Sequence, residues 1–112
     1  MRARLLILIA ALAAISPAIW TSYDQAKSVN AGAYDSAAAF AANDAVTHAA
    51  ALQGTPVRVA ASVDDPFYPG VRALARELPP ESVVSFGKGC HDGSFFREQE
   101  PPSLTFLAAH LT

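Results

Sequence analysis

Apolar residues run without a break from position 5 to 15, and an unbroken run of this kind is what a strand buried on both faces of a parallel sheet requires. Residues 6–15 are therefore read as a strand that runs into the turn Ser16-Pro17-Ala18-Ile19-Trp20. Residues 21–30 are polar and read as loop or a short irregular helix, broken at Ala31-Gly32. From Asp35 the pattern turns helical. Asp35 or Ser36 can cap residues 37–42, and Asn43 or Asp44 can cap a second run over 45–52 that Gly54 ends. Both runs are rich in alanine, which favours helix but buries little area per residue, so they are expected to cover a surface rather than build a core.

The second half of the chain changes period. Pro56 forbids further helix, and residues 57–61 read as a short strand that ends at Ser62, with Asp64-Asp65-Pro66 as its turn. Pro69 and Gly70 open a helix in which Val71, Leu74, Ala75 and Leu78 fall at i, i+3, i+4 and i+7, a stripe wide enough to pack on a sheet. Pro79-Pro80 stops it. Residues 82–86 form the next strand, residues 87–93 a loop with three glycines, and residues 102–111 a last helix with Leu104, Leu107, Ala108 and Leu111 on one face. Strand, helix, strand, helix with short connections is the grammar of an α/β fold, here about three parallel strands with crossover and covering helices.

Composition narrows the picture. With 112 residues, 52% of them hydrophobic and 16% charged, the chain has the size and apolar content of one folded domain. A net charge of -2 with scattered Lys and Arg excludes a nucleic-acid partner. Cys90 is the single cysteine, so neither an intramolecular disulfide nor a cysteine-based zinc site can form. The N-terminus has a second reading. Arg2 and Arg4, the apolar run and the small-x-small site Ala11-Leu12-Ala13 also have the layout of a secretory signal peptide over residues 1–13, in a run shorter than the roughly 20 residues a spanning helix needs. The strand reading favours the cytoplasm and the signal reading export; periodicity leaves both open.

In parallel sheets functional groups gather at the carboxyl ends of the strands, where Asp65 and His91 both fall. One crossover helix and one strand separate them, the interval and order in which an α/β-hydrolase sets out its acid and base. Asp65 would accept a hydrogen bond from the imidazole and His91 would act as general base, with Gly89 and Gly93 giving its loop freedom. Asp64 is the alternative acid. The plainer reading of an Asp before Pro is a turn cap, and that of a loop His is a surface residue. His48 and His110 read as surface histidines. A Cys90–His91 nucleophile pair is disfavoured because sequence neighbours generally point apart, and a metal site from Asp65, His91 and Asp92 lacks ligand spacing. No metal and no cofactor is expected. No G-x-S-x-G occurs anywhere in the sequence, so a serine nucleophile in its usual elbow is missing.

Taken together, Ala14-Ile15-Ser16-Pro17-Ala18-Ile19-Trp20, then residues 57–67 with Asp64-Asp65-Pro66-Phe67, then Gly89-Cys90-His91-Asp92-Gly93 and Pro101-Pro102-Ser103-Leu104, resemble the C-terminal part of bacterial α/β-hydrolase esterases. The likeness is to the esterase family that includes S-formylglutathione hydrolases and secreted mycolyltransferases, actinobacterial members above all, and it covers residues 10–112. It implies Ser-His-Asp hydrolysis of carboxylic esters, with Asp65 and His91 at the family's acid and base positions. It also implies that residues 16–20 lie near the substrate pocket, which makes Trp20 and Phe67 candidate substrate-binding residues, and that residues 21–55 form a helical insertion bordering it. Residues 56–112 would carry the acid and base.

The departure from the family is the missing first part: its earlier strands, oxyanion-hole loop and serine elbow should precede this segment. Loss of the serine costs on the order of 10^6 in turnover, so the chain is expected to be a truncated relative, inert alone and acting on an ester only when a nucleophile-bearing half complements it. Its first strand would present an unpaired apolar edge, a route to self-association. The alternative from a different class is a small secreted, non-catalytic protein that reuses the half-fold.

Overall fold

The structure, a computed structural model, describes residues 10–111. Among these residues three strands form one parallel sheet: β1 (Leu12–Ile15), β2 (Val57–Ser62) and β3 (Val83–Gly87), in the order β1-β2-β3. Leu12 faces Val57 across one ladder and Arg58 faces Val83 across the other. The central strand β2 is buried at all six positions, as its run of Val and Ala requires. Of the strand expected over residues 6–15, Leu12–Ile15 takes that form, and residues 6–9 lie outside the described part. Removal of residues 1–13 as a signal would take Leu12 and Ala13 from this ladder.

The two faces of the sheet are covered differently. On one, Val59 and Ala61 form a small core with Val71, extended by Ala14, Ile19, Phe67 and Leu78. Val71 and Leu74 are buried residues of α3 (Tyr68–Ala75), which follows β2. Leu78 falls beyond the end of that helix yet still packs on the core, because turn bonds from Glu77 N to Leu74 O and from Leu78 N to Ala75 O carry the coil on past Ala75. The long helix α4 (Gly93–Ala109) packs against β1 and β2 and holds the Arg58 side chain, which alternation along the strand directs to the other face.

Between β1 and β2 the chain forms α1 (Tyr23–Val29) and α2 (Ala37–Asn43), with Ser22 and Ser36 as side-chain caps. The second alanine-rich run is not an α-helix. It passes through turns into a short 3-10 segment, Ala49–Leu52. Asp44 does cap this run, its carboxylate accepting from Val46 N and the Thr47 hydroxyl, but after one turn closed by His48 N to Asp44 O the bonds tighten to three-residue spacing, from Ala49 N to Val46 O and Ala51 N to His48 O. Small side chains also leave space unfilled. An open apolar cavity of about 370 Å³ lies between this segment, at Ala45, His48, Ala51 and Leu52, and the sheet, at Leu12, Ala14, Val57 and Val59.

The last helix begins at Gly93, well before the expected start at Pro102, and both Pro101 and Pro102 lie inside it. The prolines remove the bonds that their N–H groups would make to the carbonyls of Arg97 and Glu98. Both residues are exposed, so water can satisfy those carbonyls, and the helix continues.

Candidate functional site

β2 ends at Ser62, and a tight turn follows in which Asp65 N donates to Ser62 O at 3.2 Å and Tyr68 N to Asp65 O at 2.9 Å. This turn points the Asp65 carboxylate inward, and its side chain is fully buried. Oδ1 accepts from Phe67 N at 2.7 Å and Oδ2 lies 2.8 Å from His91 Nδ1. Asp64, one residue earlier, is exposed. His91 comes from the loop after β3, where Gly89 has a φ of 121°, a conformation that L side chains rarely adopt. Asp92 then caps α4, accepting from Phe95 N at 3.0 Å.

These contacts set the chemistry of the imidazole. A carboxylate only accepts hydrogen bonds, so Nδ1 carries the hydrogen toward Asp65 and neutral His91 presents its lone pair at Nε2. The ring is 39% exposed, enough to meet a reactant, while its acid partner is sealed from water. A buried carboxylate behind a half-exposed histidine is the arrangement by which an acid fixes a general base.

Aromatic side chains surround the pair. Phe67 lies 5.5 Å from the His91 ring and Phe96 5.7 Å from it, nearly perpendicular, while Trp20 stands edge-on to Phe67 at 4.7 Å. Trp20 is brought there by a close approach of two backbones. A Cβ at Gly70 would lie 1.8 Å from Ile19 O, so only glycine lets α3 come this close to the turn after β1. Thus Asp65, His91, Phe67 and Trp20 form one connected group. Phe96 was not among the residues singled out from the sequence. The signal was present, in an aromatic four residues after the helix-capping Asp92.

Other polar groups lie at or near these strand ends. Ser16 follows β1 with a φ of 48°, in the left-handed region, and its N donates to Ala60 O at 2.7 Å. The buried hydroxyls of Ser16 and Ser62 have no partner among the described residues. Arg58 is buried on β2 with its guanidinium donating to Ser103 Oγ at 2.8 Å and Gln99 Oε1 at 2.9 Å. Burial holds its pKa below the usual arginine value.

The remaining candidates lie apart from the pair in their bonding. His48 Nε2 bonds Ala41 O and His110 Nδ1 bonds Phe106 O, and Cys90 is exposed. Among the described residues no three His, Cys, Asp or Glu side chains converge where a metal ion could sit. The segment over residues 21–55 does border a cavity, but neither Asp65 nor His91 lines it. No protein-family model, curated protein or solved structure matches the chain.

Proposed function

We propose that this chain provides the acid and base of an α/β-hydrolase esterase, acting on a carboxylic ester once a serine-bearing polypeptide completes the site. The reading rests on one observation above the others: the 2.8 Å contact between His91 Nδ1 and the buried Asp65 Oδ2, at the carboxyl ends of neighbouring parallel strands. In the reaction His91 Nε2 takes the proton of the incoming serine hydroxyl as its oxygen attacks the ester carbonyl. It returns that proton to the departing alcohol, and a water molecule then repeats the sequence on the acyl-serine. Asp65 holds the tautomer and stabilises the imidazolium. Trp20 and Phe67 offer an apolar wall beside the base for the non-reacting part of the ester.

β1 has one hydrogen-bonded neighbour among the described residues, β2, so its other edge is where a strand of the nucleophile-bearing part would add. The test uses a short-chain aryl ester, with wild type and His91→Ala each assayed alone and with an upstream-half polypeptide containing a G-x-S-x-G elbow. Alone, both give the same background rate. With the added half, wild type turns over ester and His91→Ala lowers that rate by on the order of 10^4 or more. A complemented rate indifferent to His91, or no turnover in a complex shown to form, overturns the reading.

A further inference from the structure

His91 is held to Asp65 by a single hydrogen bond from a glycine-flanked loop, with more than a third of its side chain open to water. That is a weak tether. Water competes for the half-exposed ring, and fixing the loop and the ring carries an entropic cost that one bond worth about 1–3 kcal/mol net barely exceeds. Something besides the carboxylate must keep the ring in place.

The start of α4 provides it. Asp92 is the cap, so His91 stands immediately before the cap and Phe96 occupies the fourth helical position. Side chains at these two places meet across the first turn, in the contact known as a hydrophobic staple, which fixes the angle at which the chain enters the helix. Here the outer member of the staple is the histidine itself, with its ring 5.7 Å from that of Phe96 at 89°. Asp92 Oδ1 to Phe95 N at 3.0 Å and Phe96 N to Asp92 O at 3.2 Å anchor the same turn. Phe67, whose own N–H is bound to Asp65, gives the imidazole a second aromatic neighbour from a different element.

We propose that Phe96 is a positioning residue for His91, stapling the imidazole to the first turn of α4 so that Nδ1 stays on Asp65 and Nε2 stays outward. The proposal rests on the reading of His91 as a base, but its geometry is tested without any nucleophile. The ring pair contributes an amount that corresponds to a population change of about three- to tenfold. Loss of the ring therefore frees the imidazole without unfolding the chain, since Phe96 is itself partly exposed.

The experiment is nitrogen-15 NMR of the histidine rings in the 112-residue chain, measuring exchange of the His91 Nδ1 proton with water. Wild type gives a protected Nδ1–H. Phe96→Ala speeds its exchange about three- to tenfold while backbone amide dispersion is unchanged, and Phe96→Tyr, which keeps the ring, stays within about twofold of wild type. Phe106→Ala, which removes a ring from the same helix beside His110, leaves the His91 proton as in wild type. Should Phe96→Ala unfold the protein, Phe96→Leu keeps apolar bulk without a ring and is read the same way. Exchange unchanged on losing the ring, or a Phe96→Tyr that fails to rescue it, overturns the positioning role and leaves the proposed esterase reading standing. A wild-type chain with no protected Nδ1–H overturns both.

Discussion

Arg58 is 6% exposed on the central strand, and its partners among the described residues, Ser103 and Gln99, are neutral. A buried cation without a carboxylate is expensive, and the two charge-assisted bonds offset only part of that cost. The sign of its pH dependence follows from the lowered pKa: the unfolded chain holds the proton more tightly, so the penalty is present wherever both states are protonated and eases only as pH rises toward the folded value. Stability near neutral pH should not titrate through this group. Arg58→Met alone should destabilise by about 1–3 kcal/mol, because Gln99 Oε1 is left buried without its donor. Arg58→Met with Gln99→Leu should recover most of that loss in urea unfolding; a double variant no better than the single would show that the guanidinium is worth more than its desolvation costs. The same scale separates Asp65 from Asp64. Their order along the chain could not, because either can end a strand, whereas burial and the 2.8 Å contact set Asp65 opposite His91.

Each element brings its part of the site into place by how it starts or stops. The turn after β2 turns Asp65 inward, the cap of α4 fixes where His91 leaves its loop, and the absence of a side chain at Gly70 lets α3 touch the turn that carries Trp20. Gly70→Ala is therefore expected to destabilise by about 3 kcal/mol, the upper end of overpacking effects, because the obstructing atom is a backbone oxygen that cannot swing aside. The accompanying readout is Trp20 fluorescence, which should shift as the indole leaves Phe67. A variant as stable as wild type would show that α3 and the Ile19 turn can separate freely. The cap of α2 was legible from the sequence as Asp35 or Ser36, of which Ser36 takes the place, and the stripe Val71, Leu74 placed α3. The early start of α4 was not, because Pro101-Pro102 reads as a break unless solvent is available to the carbonyls they orphan.

Across the molecule, the sheet is well packed at its centre and thin at its margins. β2 is buried throughout, whereas Val83, Val84 and Phe86 on β3 and Leu12 on β1 remain exposed. The alanine-rich connection leaves about 370 Å³ of apolar space against β1 and β2. Ala14→Val should fill part of it, adding two buried methyl groups for about 1 kcal/mol and a Tm rise of about 4–8 °C. A lower Tm would mean that Ala14 is already confined by the core around Val59.

The sequence by itself determined the three strands, the helix between the second and third, and their order, since hydrophobic period and polar caps act over a few residues. It placed β2, β3 and α3 to within a few positions and put Asp65 and His91 at strand ends. The tertiary structure decided what depends on groups far apart in the chain. It chose Asp65 over Asp64, brought Trp20 and Phe67 together, and buried Arg58 among partners more than forty residues away. Those outcomes depend on which faces meet when the sheet closes under its helices, and no local pattern encodes that.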